Sequence, residues 1–381
     1  MKQAMPVTLL LITSTFHLLW QGSACVEIMA LDDLRVCKTF PGLSKRQLEL
    51  CSRQPDVTAA AIRGLQDAIA ECQFQFRWHR WNCSTLTTKS RNPHTSTMLQ
   101  KGYRESAFSS AIAAAGVAAS VARACSSGRL LACGCQPRTR SSAAVGTATA
   151  TAAATAAAER TTPATRWKWG GCSHNLQYGI EFSKKFLDAR EKGAGDIQSR
   201  VNLHNTEAGR LAVATNMQVR CKCHGVSGSC ELKTCWKAAP DFRQVGTVLK
   251  EKFRSAVLVD QSNLGNGSPL LLRDSKRRRP RWRRLKKRPK KRRRDMSLEL
   301  FYYQRSPNFC DRDPALDIAG TVGRQCNRTS RGVDGCASLC CGRGYNMVRQ
   351  KRTERCDCTF HWCCYVKCRN CTTIHWISVC K

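Results

Sequence analysis

The residues best placed for chemistry lie in Arg220-Cys221-Lys222-Cys223-His224-Gly225-Val226-Ser227-Gly228-Ser229-Cys230, running on to Cys235-Trp236. A serine between glycines can be a nucleophile if a base activates it. This stretch approaches the G-x-S-x-G nucleophile elbow, but Ser229 stands where the last glycine belongs, and cysteines crowd both sides. No strand-to-helix pattern surrounds it. Glycine tolerates positive φ, so Gly225 and Gly228 write a tight turn. If Cys223 pairs with Cys230 and Cys221 with Cys235, nested bridges lock a hairpin whose tip holds Ser227 in solvent. His204, Glu207 and Arg210 could suggest acid/base work, yet no separate nucleophile accompanies them. A buried or capping ion pair is their expected role.

Metal chemistry is the other possibility that the cysteines raise. Cys133-Gly-Cys135, Cys221-Lys-Cys223, Cys356-Asp-Cys358 and Cys368-Arg-Asn-Cys371 look superficially like ligand pairs. Structural zinc favours C-x₂₋₄-C pairs in matching sets, whereas three of these are C-x-C. Adjacent Cys340-Cys341 and Cys363-Cys364 suit a tetrahedral site poorly. The expectation is disulfides, with no metal and no enzymatic activity.

The stretch from Arg220 to Trp236 closely resembles the signature of the Wnt family of secreted signalling proteins. In that family the serine at the position of Ser227 carries palmitoleate, a monounsaturated fatty acyl ester that the Frizzled receptor binds. The resemblance makes Ser227 an acyl acceptor for another enzyme, and no cofactor is expected beyond that covalent lipid. It extends over nearly all of the chain, through Arg80-Trp81-Asn82-Cys83 and Trp167-Lys168-Trp169-Gly170-Gly171-Cys172. Two insertions interrupt it.

The elements that must hold this serine follow from the rest of the chain. Lys2, the apolar run 7–12, and Gly22-Ser23-Ala24 describe a secretory signal peptide over 1–24. Behind it, 25 cysteines in 381 residues read as disulfides of an oxidising compartment. The count is odd, and setting aside Cys25 at the cleavage boundary leaves an even number.

From Cys37 to Cys135 the pattern is mostly helical. Ser44 caps an amphipathic run, and Ile62, Leu65, Ile69 and Cys72 keep helical spacing. The run 109–125 is alanine-rich and ends in Arg123 and Cys125, so it reads as a closely packed core helix rather than a membrane span. A helical run through Phe182, Phe186 and Leu187 follows, then another over 211–219.

The expected fold is α+β and disulfide-rich. A helical amino-terminal domain, 25–270, carries the lipid-bearing hairpin 220–236 and a low-complexity Ala/Thr insertion at 137–165. A basic linker, 271–304, leads to a small cysteine-rich β-hairpin domain, 305–381.

The chain has 63 Lys+Arg against 27 Asp+Glu, and residues 273–294 hold 16 of the basic residues. Such a run suggests nucleic-acid binding in isolation. A secreted chain meets heparan sulfate and membrane headgroups instead, so heparan sulfate is the expected partner of 273–294, with no nucleic acid. A basic-pair cleavage site at 281–284 and a purely solvated linker are the alternatives.

The tail from Cys310 to Cys380 holds twelve cysteines and cannot bury much apolar core, which favours short strands and extended hairpins held by bridges. Within it, Phe360 and Trp362 sit between cysteines, where exposed rings would make binding anchors. The resemblance makes this the family's second receptor-contacting finger. It further implies acylation by Porcupine in the endoplasmic reticulum, export by the Wntless carrier, the cysteine-rich domain of Frizzled as receptor, and an LDL-receptor-related co-receptor. Asn82, Asn327 and Asn370 begin N-glycosylation sequons, and Asn266 a weaker one with Pro269 behind it.

Overall fold

A computed structural model describes residues 37, 40, 42–84, 96–136, 171–189, 191–192, 195–259, 296–362 and 365–381. The signal peptide with Cys25, the 137–165 insertion, Asn266 and the 273–294 run lie outside those residues. Ser44 opens α1 (Lys45–Arg53) with a capping box, its Oγ accepting from the Gln47 N–H and its own N–H donating to Gln47 Oε1. Pro55 starts α2 (Pro55–Phe76), at a position where its missing N–H leaves no bond unmade.

The body is assembled around α3 (Arg104–Ser126), the alanine-rich run. Its composition has a steric purpose. A Cβ added at Gly64 of α2 would lie 2.4 Å from the Gly116 carbonyl oxygen of α3, so the two backbones touch where they cross. Small residues on α3 permit this on several sides at once, and α4 (Leu176–Leu187), α5 (Ile197–Thr215) and α6 (Phe242–Arg254) all pack on it. By length and composition α3 could cross a membrane, but most of it is buried inside this body.

Two apolar clusters flank α3. One gathers Phe76, Phe108 and Phe253 in edge-to-face contacts, with Trp81 against Phe76. Trp81 thus joins the core beside the Cys72–Cys83 bridge, while Trp78 stays exposed. The other cluster gathers Val57, Leu65, Val117, Phe182 and Phe186.

Beyond α5 the chain forms an antiparallel hairpin of β1 (Gln218–Cys223) and β2 (Lys233–Ala238). After α6, β3 (Val257–Leu258) pairs in parallel with β4 (Phe301–Tyr302). Here the structure departs from the expected division of the chain. Residues 296–304 fell within the linker 271–304, yet Leu300 is fully buried and Phe301 nearly so. Phe309 and Ile318, assigned to the tail domain, belong to the same cluster as Phe76. The charge run dominates the local composition and hides the apolar residues that follow it.

The carboxyl-terminal part has a three-stranded antiparallel sheet in the order β5-β7-β6, from β5 (Gln325–Cys326), β6 (Tyr345–His361) and β7 (Tyr365–Cys380). Its small core is mostly sulfur, with Cys326, Cys336, Cys340 and Cys380 around Leu339 of α7 (Cys336–Leu339). The strands of the main hairpin are 17 and 16 residues long, not short. Both strands are exposed along most of their length, so bridges rather than a core support the ribbon. Cys356–Cys371 and Cys358–Cys368 staple it near the tip.

Among the described residues eleven disulfides form. Each C-x-C pair splits to different partners: Cys133 joins Cys125, and Cys135 joins Cys172. Cys326, Cys336 and Cys340 lie close enough to ligate a metal, but Cys326 is bonded to Cys336 and Cys340 to Cys380.

Candidate functional site

Ser227 stands at the tip of the β1–β2 hairpin. Cys221 and Cys235 face each other in register with Cα atoms 4.0 Å apart, and their sulfurs are bonded. Cys223–Cys230 closes a second, inner ring. Within it the backbone bonds to itself: His224 N–H donates to Leu232 O at 2.7 Å, Gly225 N–H to Ser229 O at 2.9 Å, and Gly228 N–H to Gly225 O at 3.0 Å. The result is a single 3-10 turn, Val226–Gly228, on a tip that the bridges hold open.

The turn chemistry is divided differently from the simple glycine argument. Ser227 itself takes the left-handed conformation, φ 56° and ψ 25°, followed by Gly228 at φ 80°. Serine adopts this region at a cost that the surrounding ring meets. Gly225 has an ordinary φ, and its role is space: a Cβ there would lie 2.0 Å from Ser229 Oγ. The turn therefore thrusts the Ser227 side chain outward.

The base of the hairpin is tied to the body by the segment around Cys172 of the Cys135–Cys172 bridge. Gly171 N–H donates to Cys235 O and His174 N–H to Lys237 O, while Ala239 N–H donates to His174 Nδ1 at 3.0 Å. An accepting Nδ1 needs neutral imidazole. Burial, followed by the charges of Arg123 and Arg220, lowers the His174 pKa and keeps it so.

His224 turns its Nε2 to Thr234 Oγ1, and among the described residues no hydrogen bond joins Ser227 to an imidazole or carboxylate. His204, Glu207 and Arg210 lie elsewhere. Arg210 is buried against Asp188, Glu207 and Ser183, and His204 stacks on Phe301 while bonding Glu299 O. They are architecture.

The tip also carries apolar surface that the spacing of cysteines did not announce. Val226 is 90% exposed and Leu232 66%. The signal was present as isolated valine and leucine among polar residues, in a hairpin too narrow to bury either.

Phe360 and Trp362 occupy the far end of the β6–β7 ribbon, 67% and 93% exposed. Neither ring packs under the hairpin. Tyr365 and Val366 are exposed beside them, and His361 stacks on Tyr365. The ribbon leaves Met347, Ile374 and Trp376 exposed as well.

Of the sequon asparagines, Asn82 accepts at Oδ1 from Ser84 Oγ, Asn327 accepts likewise from Thr329 Oγ1, and Asn370 is exposed on β7. One further cluster was not foreseen. Lys250 Nζ lies 2.9 Å from His79 Nε2 and 3.1 Å from the Phe76 ring centroid. Burial and then Arg254 push the Lys250 pKa down to about 7, and burial and then Lys250 push His79 down to about 4. Its members are far apart in sequence, which is why no motif marks it.

Known proteins resemble this chain over nearly its whole length. The Wnt family model matches residues 39–381. Protein Wnt-3a of Mus musculus is 42% identical over 348 residues, spanning 91% of this chain and 89% of that protein. Protein Wnt-3a of Homo sapiens is 42% identical over 353 residues, with coverages of 91% and 89%. Among solved structures, a chain of human WLS in complex with WNT8A matches with TM-score 0.55 and 32% identity, covering 85% of this chain and 94% of that one.

Proposed function

The chain belongs to the Wnt family of secreted signalling ligands, and we propose that it acts through an acyl ester on Ser227 together with the aromatic tip of the β6–β7 ribbon. The observation that carries this reading is the exposure of Ser227 at the tip of a doubly bridged hairpin, in a turn that projects its side chain. A transferase needs an accessible hydroxyl on a firm support, and the hairpin offers both. Palmitoleate is the acyl group that the family resemblance implies, Porcupine its donor enzyme in the endoplasmic reticulum, and Wntless the carrier. The match to a chain of a WLS–WNT8A complex supports the last of these.

The acyl chain then enters an apolar groove on the cysteine-rich domain of Frizzled. Each buried methylene contributes about 0.8 kcal/mol, so a long chain outweighs any single side chain in the contact. Val226 and Leu232 extend the apolar surface around it. Phe360 and Trp362 form the second grip, with little interior to lose by binding. An LDL-receptor-related co-receptor completes the signalling complex. The run 273–294 binds heparan sulfate in the matrix, and Asn82, Asn327 and Asn370 carry N-glycans, with Asn266 the weaker acceptor.

Mass spectrometry of the peptide containing Ser227 tests the central step. An adduct of palmitoleoyl mass on Ser227 is the expected result. In parallel, Ser227→Ala is expected to be secreted poorly and to lose receptor activation. An unmodified Ser227 in actively signalling protein would overturn the assignment.

A further inference from the structure

Trp78 and Trp376 come from opposite ends of the chain and line one groove of about 530 Å³, a volume in the range of small-molecule sites. Trp78 follows α2 at the edge of the helical body and is 41% exposed, whereas Trp376 lies on β7 and is 65% exposed. Met347 of β6 lines the groove beside them, and Arg328 and Asp334 supply charged groups. Two half-exposed indoles with charged and polar neighbours suit a ligand that is apolar on its faces and rich in hydroxyls at its edge. A pyranose ring has that character.

The groove also contains the means of holding such a ligand. Asn327 lines it and begins the sequon Asn327-Arg328-Thr329. The Asn327 backbone is secured by hydrogen bonds to Asp334 and Cys336, and its Oδ1 accepts from both the N–H and the hydroxyl of Thr329 at 3.1 and 3.0 Å. The side-chain amide is thereby oriented with Nδ2 as the remaining group. Asp334, whose carboxyl is held below the usual range by Ser330 and then by lesser contacts that include Asn327, sits on the same wall. A glycosylated amide keeps one N–H, which stays free to donate to an acceptor on this wall.

We propose that the groove seats the first sugars of an N-glycan on Asn327, their C–H faces stacked on Trp78 and Trp376 and their polar edges toward Arg328 and Asp334. The inference rests on the reading of Asn327 as a glycan acceptor. Attachment itself is a group transfer from a lipid diphosphate-linked oligosaccharide. The anomeric carbon gains a bond to Nδ2 and loses its bond to the diphosphate oxygen, and the amide proton departs with the released lipid diphosphate. Tethered at the groove wall, the sugar has a high effective concentration there, so modest stacking is enough to hold it. Because the two tryptophans belong to different halves of the molecule, the seated glycan bridges the helical body and the carboxyl-terminal sheet. It also covers indole surface that would otherwise invite association.

The test uses full-length protein secreted from mammalian cells, with site-resolved glycopeptide mass spectrometry after timed treatment with a peptide N-glycosidase. The Asn327 glycan is expected to be released at least tenfold more slowly from native protein than from reduced, denatured protein. Trp376→Ala, an exposed position whose loss the fold tolerates, is expected to restore fast release from native protein while leaving the thermal midpoint of the deglycosylated form unchanged. A vacant Asn327 would overturn the proposal together with the acceptor reading. An occupied Asn327 released equally fast in both states would overturn the groove alone. Protection that persists in the Trp78→Ala, Trp376→Ala double variant would do the same.

Discussion

Arg210 of α5 places its Nη2 2.5 Å from Asp188 Oδ1, with both side chains almost wholly removed from water. Ser183 Oγ and Glu207 take further guanidinium donors, and Thr206 donates to the same Asp188 oxygen. This network joins the end of α4 to the middle of α5, the helix that leads directly into the hairpin.

Removing one partner strands the other. Arg210→Met is expected to cost about 3–5 kcal/mol, the penalty of an uncompensated buried charge. Secreted yield should fall, along with the thermal midpoint of what is secreted. Adding Asp188→Asn should recover part of the loss, since the two positions share one interaction. A single variant as stable as the parent would contradict this account.

Gly225→Ala separates the turn from the hydroxyl. The added methyl meets Ser229 Oγ and Ser229 O, so the tip must rearrange while the Cys221–Cys235 ring below it stays intact. Acyl incorporation at Ser227, read by mass spectrometry, should drop about tenfold or more, corresponding to about 1.4 kcal/mol in the transfer step. The thermal midpoint should not change. Full acylation would mean that the transferase does not read this turn.

The aromatic tip should be separable from folding. Phe360→Ala with Trp362→Ala is expected to leave secretion and stability near those of the parent, because neither ring contributes to a core. Binding to a Frizzled cysteine-rich domain should weaken by about 2–4 kcal/mol, the range of exposed anchor residues. Equal affinity of the double variant, measured by surface plasmon resonance, would remove these residues from the interface.

The Lys250–His79 pair predicts a pH dependence with a definite sign. Both pKa values are depressed in the folded chain, His79 from 6.5 to about 4 and Lys250 from 10.5 to about 7. Between the folded and unfolded values the unfolded chain binds more protons, so stability rises with pH through each window. Lys250 acts from about 7 to 10.5, and His79 from about 4 to 6.5. Arg104, Arg254 and Arg324 bear on the imidazole in the same direction, while Glu105 favours the charged Lys250. Acidification from pH 6.5 to 4.5 should therefore lower the thermal midpoint by several degrees, and His79→Gln should flatten that slope. Parallel slopes for the two proteins would exclude His79 as the cause.

Local signals made much of this molecule legible in the sequence. Ser44 with Gln47, the spacing of Ile62, Leu65 and Ile69, and the small residues of α3 each act through neighbours a few positions away. The hairpin around Ser227 is equally local, with every bridge partner inside the same short stretch. What escaped was assembled over distance. Leu300, Phe309 and Ile318 enter the helical core from behind a charge run that masks them. Lys250 meets His79, and Trp78 and Trp376 come to line one groove, only because distant segments of the chain converge. Ser227 carrying the positive φ, with Gly225 selected for clearance, is likewise a property of the closed ring rather than of residue type.

The placement of Leu300 and Phe309 beside Phe76 and Phe108 governs the order in which the chain can mature. The helices α1 to α6 of the body are complete in sequence by Arg254, but the interior they enclose stays open until the later residues arrive from beyond 260–295. The Cys340–Cys380 bridge closes a loop of 40 residues across the tail. Contacts of such sequence separation form slowly and leave apolar surface uncovered in the interval. Loss of Cys380 therefore leaves Cys340 without its partner, and a shortage of folding catalysts during synthesis should impair this ligand before it ever meets a receptor.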